Sequence, residues 1–341
     1  MDLLPTDEQS EIVATVRTQL DRDFSLNELA ALDGADTVIS AELWGRCAEL
    51  GWFGLGLAEA DGGVGYTLVE EALLFEEVGA HATPGPFLAT VLAAHVAAIA
   101  GDEPLVGQVL SGERRVAFAE PEPAPGADPV VGPTVSGTFR VTDFGGAELA
   151  LVLHGRHAAV VELGTPGLIP VPSLDQLVPL ATVALDTAAL CSAEDRSISL
   201  RATVLVAAEL AGIARATAEQ STEYAKVREQ FGRPVGSFQA LKHRCADMAV
   251  RADAAVNLAR LSALAVVAGH DDARFQAESA RVMAANAALE NAQVNVQNHG
   301  GIGFTLEHTA HRYVTRAQVR ARTAGTPFDH LAALLAATSP A

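Results

Sequence analysis

Arg228-Glu229-Gln230-Phe231-Gly232-Arg233-Pro234-Val235-Gly236-Ser237-Phe238-Gln239 lies between two long alanine-rich segments, and further along Gln297-Asn298-His299-Gly300-Gly301-Ile302-Gly303-Phe304-Thr305 ends another. In the first stretch, an arginine at a helix end followed by a Gly/Pro turn can offer a bidentate guanidinium fork to a pyrophosphate. Phe231 and Phe238 add apolar surface beside it. In the second, glycines let backbone approach a ligand closely, and Gln297 can hydrogen-bond an amide or a ring nitrogen. Taken alone, each also reads as plain connection: a helix–turn–helix joint with a solvated arginine, and a glycine helix cap.

Working outward, Val204–Tyr224, Phe238–Gly269 and Ala273–Gln297 are too long and too rich in alanine to be strands. Long segments joined by short turns predict an antiparallel helical bundle. Upstream, from about Val116 to Leu200, glycine and proline are frequent and short apolar runs alternate with turns. The runs are Val130–Val131, Leu149–Leu153, Ala158–Leu163, Leu168–Val171 and Val178–Leu185, and they predict a small antiparallel β domain. The first part is helical again. Thr6 followed by Asp7 and Glu8 predicts an N-cap ahead of Ile12, Val13, Val16 and Leu20 at helical spacing. Further helices are predicted over Ala41–Leu50, Leu68–Val78 and Phe87–Gly101, with the Ala58–Gly65 loop as a glycine turn. Three domains are expected: 1–112 helical, 113–200 β, and 201–341 a helical bundle.

Composition limits what such a chain does. It has 341 residues, 49% hydrophobic and 19% charged, with 23 basic against 42 acidic residues for a net charge of −19. Wholesale disorder is excluded. A phosphate backbone would be repelled by most of this surface, so nucleic acid is an unfavourable partner, and a polyanionic ligand must be met by a few placed arginines. The start, MDLLPTDEQSEIVATV, has no basic region leading an apolar one, and no charge-free apolar run reaches the ~18–20 residues of a membrane span. Cys47, Cys191 and Cys245 are odd in number and widely spaced, which favours a reducing cytoplasm over disulfides or zinc. His308 and His311 after Glu307 have no third ligand cluster, so no metal is expected. Cys245 lacks partners for nucleophilic chemistry and reads as a buried small residue.

Order and spacing carry more than either stretch alone. REQFGRPVGSFQALKHRCADM (228–248) followed by VQNHGGIGFTLEH (296–308) resembles the acyl-CoA dehydrogenase family, and WGRCAELGWFGLGLAEADGGVG (44–65) resembles its first domain. The resemblance covers nearly the whole chain. It implies an α+β fold: an N-terminal helical domain, a small middle β domain and a C-terminal four-helix bundle. It also implies FAD at a dimer interface, where the two turns of one subunit hold the adenosine and pyrophosphate end of the FAD seated in its neighbour. On this sequence those positions are Arg228, Gln230, Phe231, Phe238, Gln239, Gln297, Asn298, His299, Gly300 and Gly301. For His299 a purely structural role in the turn stands equally.

The departures from the family pattern are informative. Family members remove the substrate's α-proton with a carboxylate and pass the β-hydride to flavin. Here one seat of that base reads Thr323-Ala324-Gly325-Thr326, and the other falls near Ala202 and Thr203, so neither holds a carboxylate. Glu209 is about two turns further along the helix. A positioned base is worth roughly 10²–10⁴ in rate. The flavin-holding loop of the middle domain reads Glu120-Pro121-Glu122-Pro123-Ala124-Pro125-Gly126-Ala127-Asp128, and Arg140-Val141-Thr142-Asp143 puts Arg140 where an aromatic residue belongs. Pro327-Phe328 replace a polar pair.

Elements for the chain's own flavin are thus altered, whereas those reaching a neighbour's flavin are kept. This resembles the shortened, base-lacking subunit of the heteromeric α2β2 acyl-CoA dehydrogenases of actinobacterial steroid side-chain catabolism. That resemblance implies a full-length partner subunit carrying the base, an acyl-CoA substrate, and no catalytic residue in this chain. It leaves room for an electron-transfer flavoprotein as redox partner. Two alternatives stay open: a self-sufficient homomeric dehydrogenase with an unrecognised base, and a flavin-free scaffold or acyl-CoA-binding subunit.

Overall fold

A computed structural model describes residues 3–24, 39–122, 128–164 and 167–337. The chain forms two compact units, Leu29–Glu71 with Pro84–Ala202, and Met1–Glu28 with Ala72–Thr83 and Thr203–Ala341.

The first of these contains a seven-stranded sheet with helices α2 (Ala41–Glu49), α4 (Phe87–Ala100) and α5 (Glu103–Leu110). The strands are β1 (Val116–Pro121), β2 (Thr134–Thr142), β3 (Leu149–His154), β4 (His157–Glu162), β5 (Ile169–Val171), β6 (Leu180–Ala188) and β7 (Cys191–Glu194), in the order β5-β6-β2-β1-β3-β4-β7. The expected all-antiparallel sheet is corrected here: β1 pairs antiparallel with β2 and parallel with β3. The cause is that β1 lies inside the sheet, with neighbours on both edges. Val116, Ala117, Phe118 and Ala119 are all buried, and a strand covered on both faces reads as a continuous apolar run without alternation. Val130 forms an isolated bridge to Ser136 instead of a strand. α4 is covered all round, with every residue from Phe87 to Ala97 buried. Its first turn packs in an aromatic cluster, with the Phe87 ring 5.2 Å from Trp44 and Trp44 4.3 Å from Phe53.

The other unit is helical. Its elements include α1 (Asp7–Asp23), α6 (Arg196–Val227, entering at Thr203), α7 (Gln239–Val267), α8 (Ala273–His299), α9 (Ala310–Arg320) and α10 (Pro327–Ala336), together with most of α3 (Leu68–Ala80). Thr6 caps α1 in a reciprocal box with Gln9. Small residues set the helix spacing. Ala277, Ala280, Ala284, Ala287, Ala288 and Ala292 of α8 are buried, as are Ala252, Ala255, Ala259 and Ala263 of α7. Where α3 meets α6 the backbones nearly touch: a Cβ on Gly79 would sit 1.9 Å from the Glu209 carbonyl oxygen, and one on Gly212 would sit 1.9 Å from that of Glu76. α6 is long and apolar enough by composition to cross a membrane, but 78% of its most apolar window is buried within the protein.

Candidate functional site

α6 ends at Val227, and the chain reverses through a two-residue hairpin, β8 (Glu229–Gln230) and β9 (Arg233–Pro234). Its central residues are Phe231 at φ +55° and Gly232 at φ +75°. Two positive φ angles match the right-handed twist of a tight hairpin, and glycine is the residue that adopts them freely. Phe231 is a bulky residue in that conformation, and its ring is 91% exposed. It stands edge-on to Phe238 at 6.1 Å, and the Arg233 guanidinium lies 4.2 Å from the Phe238 ring. Strain and an exposed aromatic ring together at one turn are features that a fold alone does not favour.

Charge is distributed just as unevenly. Several arginines elsewhere meet carboxylates: Arg17 and Arg215 meet Glu77, Arg260 meets Glu76, and Arg320 meets Glu209. The Arg228 side chain is exposed and bonds none of the described residues. Val235 N donates to the Arg228 carbonyl at 2.7 Å, which ties the hairpin to the helix end. Gln230 donates to the Glu229 carbonyl at 2.9 Å, and Gln239 is exposed at the start of α7.

The second turn is brought beside the first by a residue the sequence reading did not single out. Tyr224, one helical turn before Arg228, donates its hydroxyl to the His299 carbonyl at 3.4 Å and stacks on the His299 ring at 4.2 Å. Its signal was an aromatic residue on the same helix, which many core positions share. His299 is buried, donates from Nδ1 to the Asn295 carbonyl (2.8 Å), and faces His308 at 4.4 Å. Burial holds its pKa below the usual histidine value, and burial together with His299 and His311 does the same for His308. Asn298 also turns inward, donating to Ser221 Oγ at 3.3 Å. Gln297, Gly300 and Gly301 face solvent, and the Gln297 amide has no partner among the described residues. Gly303 is needed for closeness, since a Cβ would meet the Val296 carbonyl oxygen at 2.8 Å. The ten expected positions therefore divide: Asn298 and His299 shape the turn from inside, and the others present outward or lie half-buried.

The candidate seats of a base are occupied by other chemistry. Ala324 sits at φ +59° and its carbonyl oxygen lies 3.1 Å from His330 Nε2. Ala202 and Thr203 are buried. Glu209 is buried and accepts from Arg320 Nε at 2.8 Å. Glu71 is a buried carboxylate too. Burial pushes its pKa up, but bonds from His95 (3.0 Å) and Arg201 outweigh this and hold it below the usual range, so it is a poor proton acceptor. In the sheet, Glu120 and Arg140 are direct cross-strand partners and pair at 3.4 Å. The two charges satisfy each other at the place the resemblance assigns to a flavin ring. Residues 123–127 of that loop lie outside the described residues. No group of three or more metal-binding side chains occurs among the described residues.

The chain matches the acyl-CoA dehydrogenase C-terminal domain model over residues 201–328 and the N-terminal domain model over 6–110. It is 31% identical over 340 residues to the acyl-CoA dehydrogenase IpdE2 of Mycobacterium tuberculosis, covering 96% of both chains. The chain belongs to the acyl-CoA dehydrogenase family. Acyl-CoA dehydrogenase FadE34 of M. tuberculosis is 38% identical over 280 residues, which are 79% of this chain but only 38% of that relative's length. Among solved structures, a chain of the ChsE4–ChsE5 complex of M. tuberculosis superposes with a TM-score of 0.86 at 25% identity, covering 100% of each chain. The fold is thus that of an oxidoreductase family whose members generally bind FAD, and the two turns lie where the family's C-terminal domain model matches.

Proposed function

We propose that this chain is the shortened, base-lacking subunit of a heteromeric, flavin-dependent acyl-CoA dehydrogenase, and that it completes the FAD site of a full-length partner. The carrying observation is the contrast between two places. At the 228–239 turn a guanidinium and a phenyl ring stand exposed and unsatisfied. At the Glu120–Arg140 position the charges are already paired. The diphosphate end of FAD fits the first; the flavin ring does not fit the second.

When bound, FAD would accept the hydride taken from the β-carbon of the acyl group. This chain's part is to hold it. Arg228 offers a charge-assisted fork to the diphosphate. Phe231 offers a face for the adenine. The backbone of Gly300 and Gly301, free of side chains, lets the ligand approach, with the Gln297 amide beside it. With alanine at position 324, α-proton removal falls to the partner. Residues 1–112, 113–200 and 201–341 are the division we assign, the last carrying the cofactor-facing turns. The likeness to a chain of a two-component complex supports a heteromer. So does the length of FadE34: if 280 residues are 38% of it, it is about twice as long as this chain, with room for a second module of this size.

The test is to purify the chain alone and with its partner subunit and read flavin absorbance. FAD is expected only in the complex, with turnover of acyl-CoA. Stoichiometric FAD in the chain alone would overturn the shared site. One observation favours a second reading, in which the chain keeps a flavin of its own: the Thr142 hydroxyl, on the strand that carries Arg140, is buried without a hydrogen-bond partner among the described residues. The same measurement separates the two.

A further inference from the structure

α10 is fastened to the protein by one buried side chain. Phe328, Leu331 and Leu335 are exposed, and among the described residues of this helix only His330 is buried. Its ring bridges two segments. Nδ1 lies 2.8 Å from Glu278 Oε2 of α8, and Nε2 lies 3.1 Å from the carbonyl oxygen of Ala324. A carbonyl oxygen only accepts, so Nε2 carries a hydrogen and donates it. The contact between Nδ1 and Oε2 then needs a second proton, because neither a bare ring nitrogen nor a carboxylate oxygen is a donor. Imidazolium with carboxylate, or neutral imidazole with carboxylic acid, supplies it. Either way the pair holds one proton more than it does when fully titrated.

The segment that His330 holds is a strained one. Ala324 and Gly325 have φ +59° and +112°, and a Cβ on Gly325 would come to 3.0 Å from His330 Nε2. Alanine in the left-handed region persists only where its surroundings hold it. Arg281 of α8 holds the chain just before, donating from Nη2 to the carbonyls of Arg320, Ala321 and Thr323, each at 3.1 Å. His330 holds the turn itself. The other charged groups of these elements have their own engagements: Arg320 with Glu209, Arg322 with Gln318, and Asp329 with the hydroxyl and N–H of Thr326. Arg274, one turn before Glu278 on α8, is exposed. Loss of the extra proton would leave two lone pairs facing each other in a buried place, and a buried polar contact of that kind is unfavourable.

We propose that Glu278 and His330 form a proton-operated latch. While the pair holds the extra proton, the 323–326 turn and α10 stay docked on α8. When rising pH removes it, they come away. The docked form binds more protons than the released form, so docking is favoured at low pH and weakens as pH rises. The latch needs neither a cofactor nor a partner subunit.

The test is amide hydrogen exchange of the full chain, read by mass spectrometry from about pH 5.5 to about pH 8.5 and corrected for the intrinsic pH dependence of exchange. Protection of residues 327–336 should fall by roughly 10–100-fold across the series, the loss expected for one charge-assisted hydrogen bond. That of residues 283–297 within α8 should stay constant. Glu278→Gln offers an amide N–H that donates to a bare Nδ1, so α10 should stay protected to within a few-fold at every pH. His330→Gln should leave α10 weakly protected throughout. Circular dichroism checks that each variant is folded. Wild-type protection that does not change with pH overturns the proposal. So does a fall of equal size in Glu278→Gln or His330→Gln, since the titrating group then lies elsewhere. Where a variant fails to fold, NMR of the wild type labelled with carbon-13 histidine decides. The buried His330 ring should titrate over the same pH range as the loss of protection, and titration outside that range overturns the latch.

Discussion

Phe231→Gly separates a functional residue from a structural one by the sign of its effects. The ring is 91% exposed, so little burial is lost with it. At φ +55° an L-residue costs roughly 1–2 kcal/mol, which glycine recovers. Against this stand the extra freedom of glycine in the unfolded chain, ~0.5–1 kcal/mol, and the edge contact with Phe238, at most ~0.5–1.5 kcal/mol for a buried pair and less here. The terms nearly cancel, and the melting temperature should move by no more than a few degrees. Flavin binding behaves differently. Loss of an aromatic face under adenine is worth about 1–3 kcal/mol, or roughly 5–150-fold in affinity. The assay pairs thermal unfolding by circular dichroism with flavin fluorescence released on dilution of the partner complex. A large drop in melting temperature with unchanged flavin retention would refute the reasoning, because the ring would then be holding the hairpin together.

Arg228→Ala should release flavin from the complex by ~10–100-fold in affinity. Its effect on unfolding should stay within about 0.5 kcal/mol, because the exposed guanidinium bonds none of the described residues; unchanged retention counts against its role. Ala324→Glu should create no activity in the chain alone, since the Glu120–Arg140 pair still occupies the position that the proposed function denies to a flavin ring, and substrate-dependent bleaching of flavin by that variant would contradict this. Gly79→Ala drives a methyl to 1.9 Å from the Glu209 carbonyl oxygen; it should cost at least the ~1–3 kcal/mol of an overpacked core, read as a lower urea midpoint. His299 and His308 have folded pKa values below the ordinary 6.5, so on acidification the unfolded chain takes up protons first. Stability from these two rings is complete above pH 6.5 and declines as pH falls from there through their folded values. A urea midpoint that drops less between pH 7.5 and 5.5 in His308→Gln than in the wild type would verify it, and an equal drop would not.

The helices and the turns were legible because their signals are local. Thr6 caps α1 where an N-cap is expected, and the alanine-rich stretches are helices because alanine gives them both propensity and close spacing. β1 was not legible as a strand. Its run Val116–Ala119 is buried on both faces, so it lacks the alternation by which strands announce themselves, and its parallel pairing with β3 depends on a neighbour far along the chain. The residues of the candidate site could be named from the family resemblance that the two turns carry, yet which way each side chain faces could not. Asn298 and His299 belong to the same run as Gly300, but a helix period turns them inward toward Ser221 and Tyr224.

The sequence by itself determined the family, the helix–β–helix order and the absence of a carboxylate at both positions that the resemblance assigns to a base, since each depends only on which residue stands at which position. Tertiary structure alone decided which charges are already spent. Glu209 looks like an available carboxylate until Arg320 is found 2.8 Å away, and Arg140 looks like an available cation until Glu120 is found opposite it on β1. Arg228 remains without such a partner among the described residues. Availability is a property of the distance between groups separated by many residues, and only the folded backbone sets that distance.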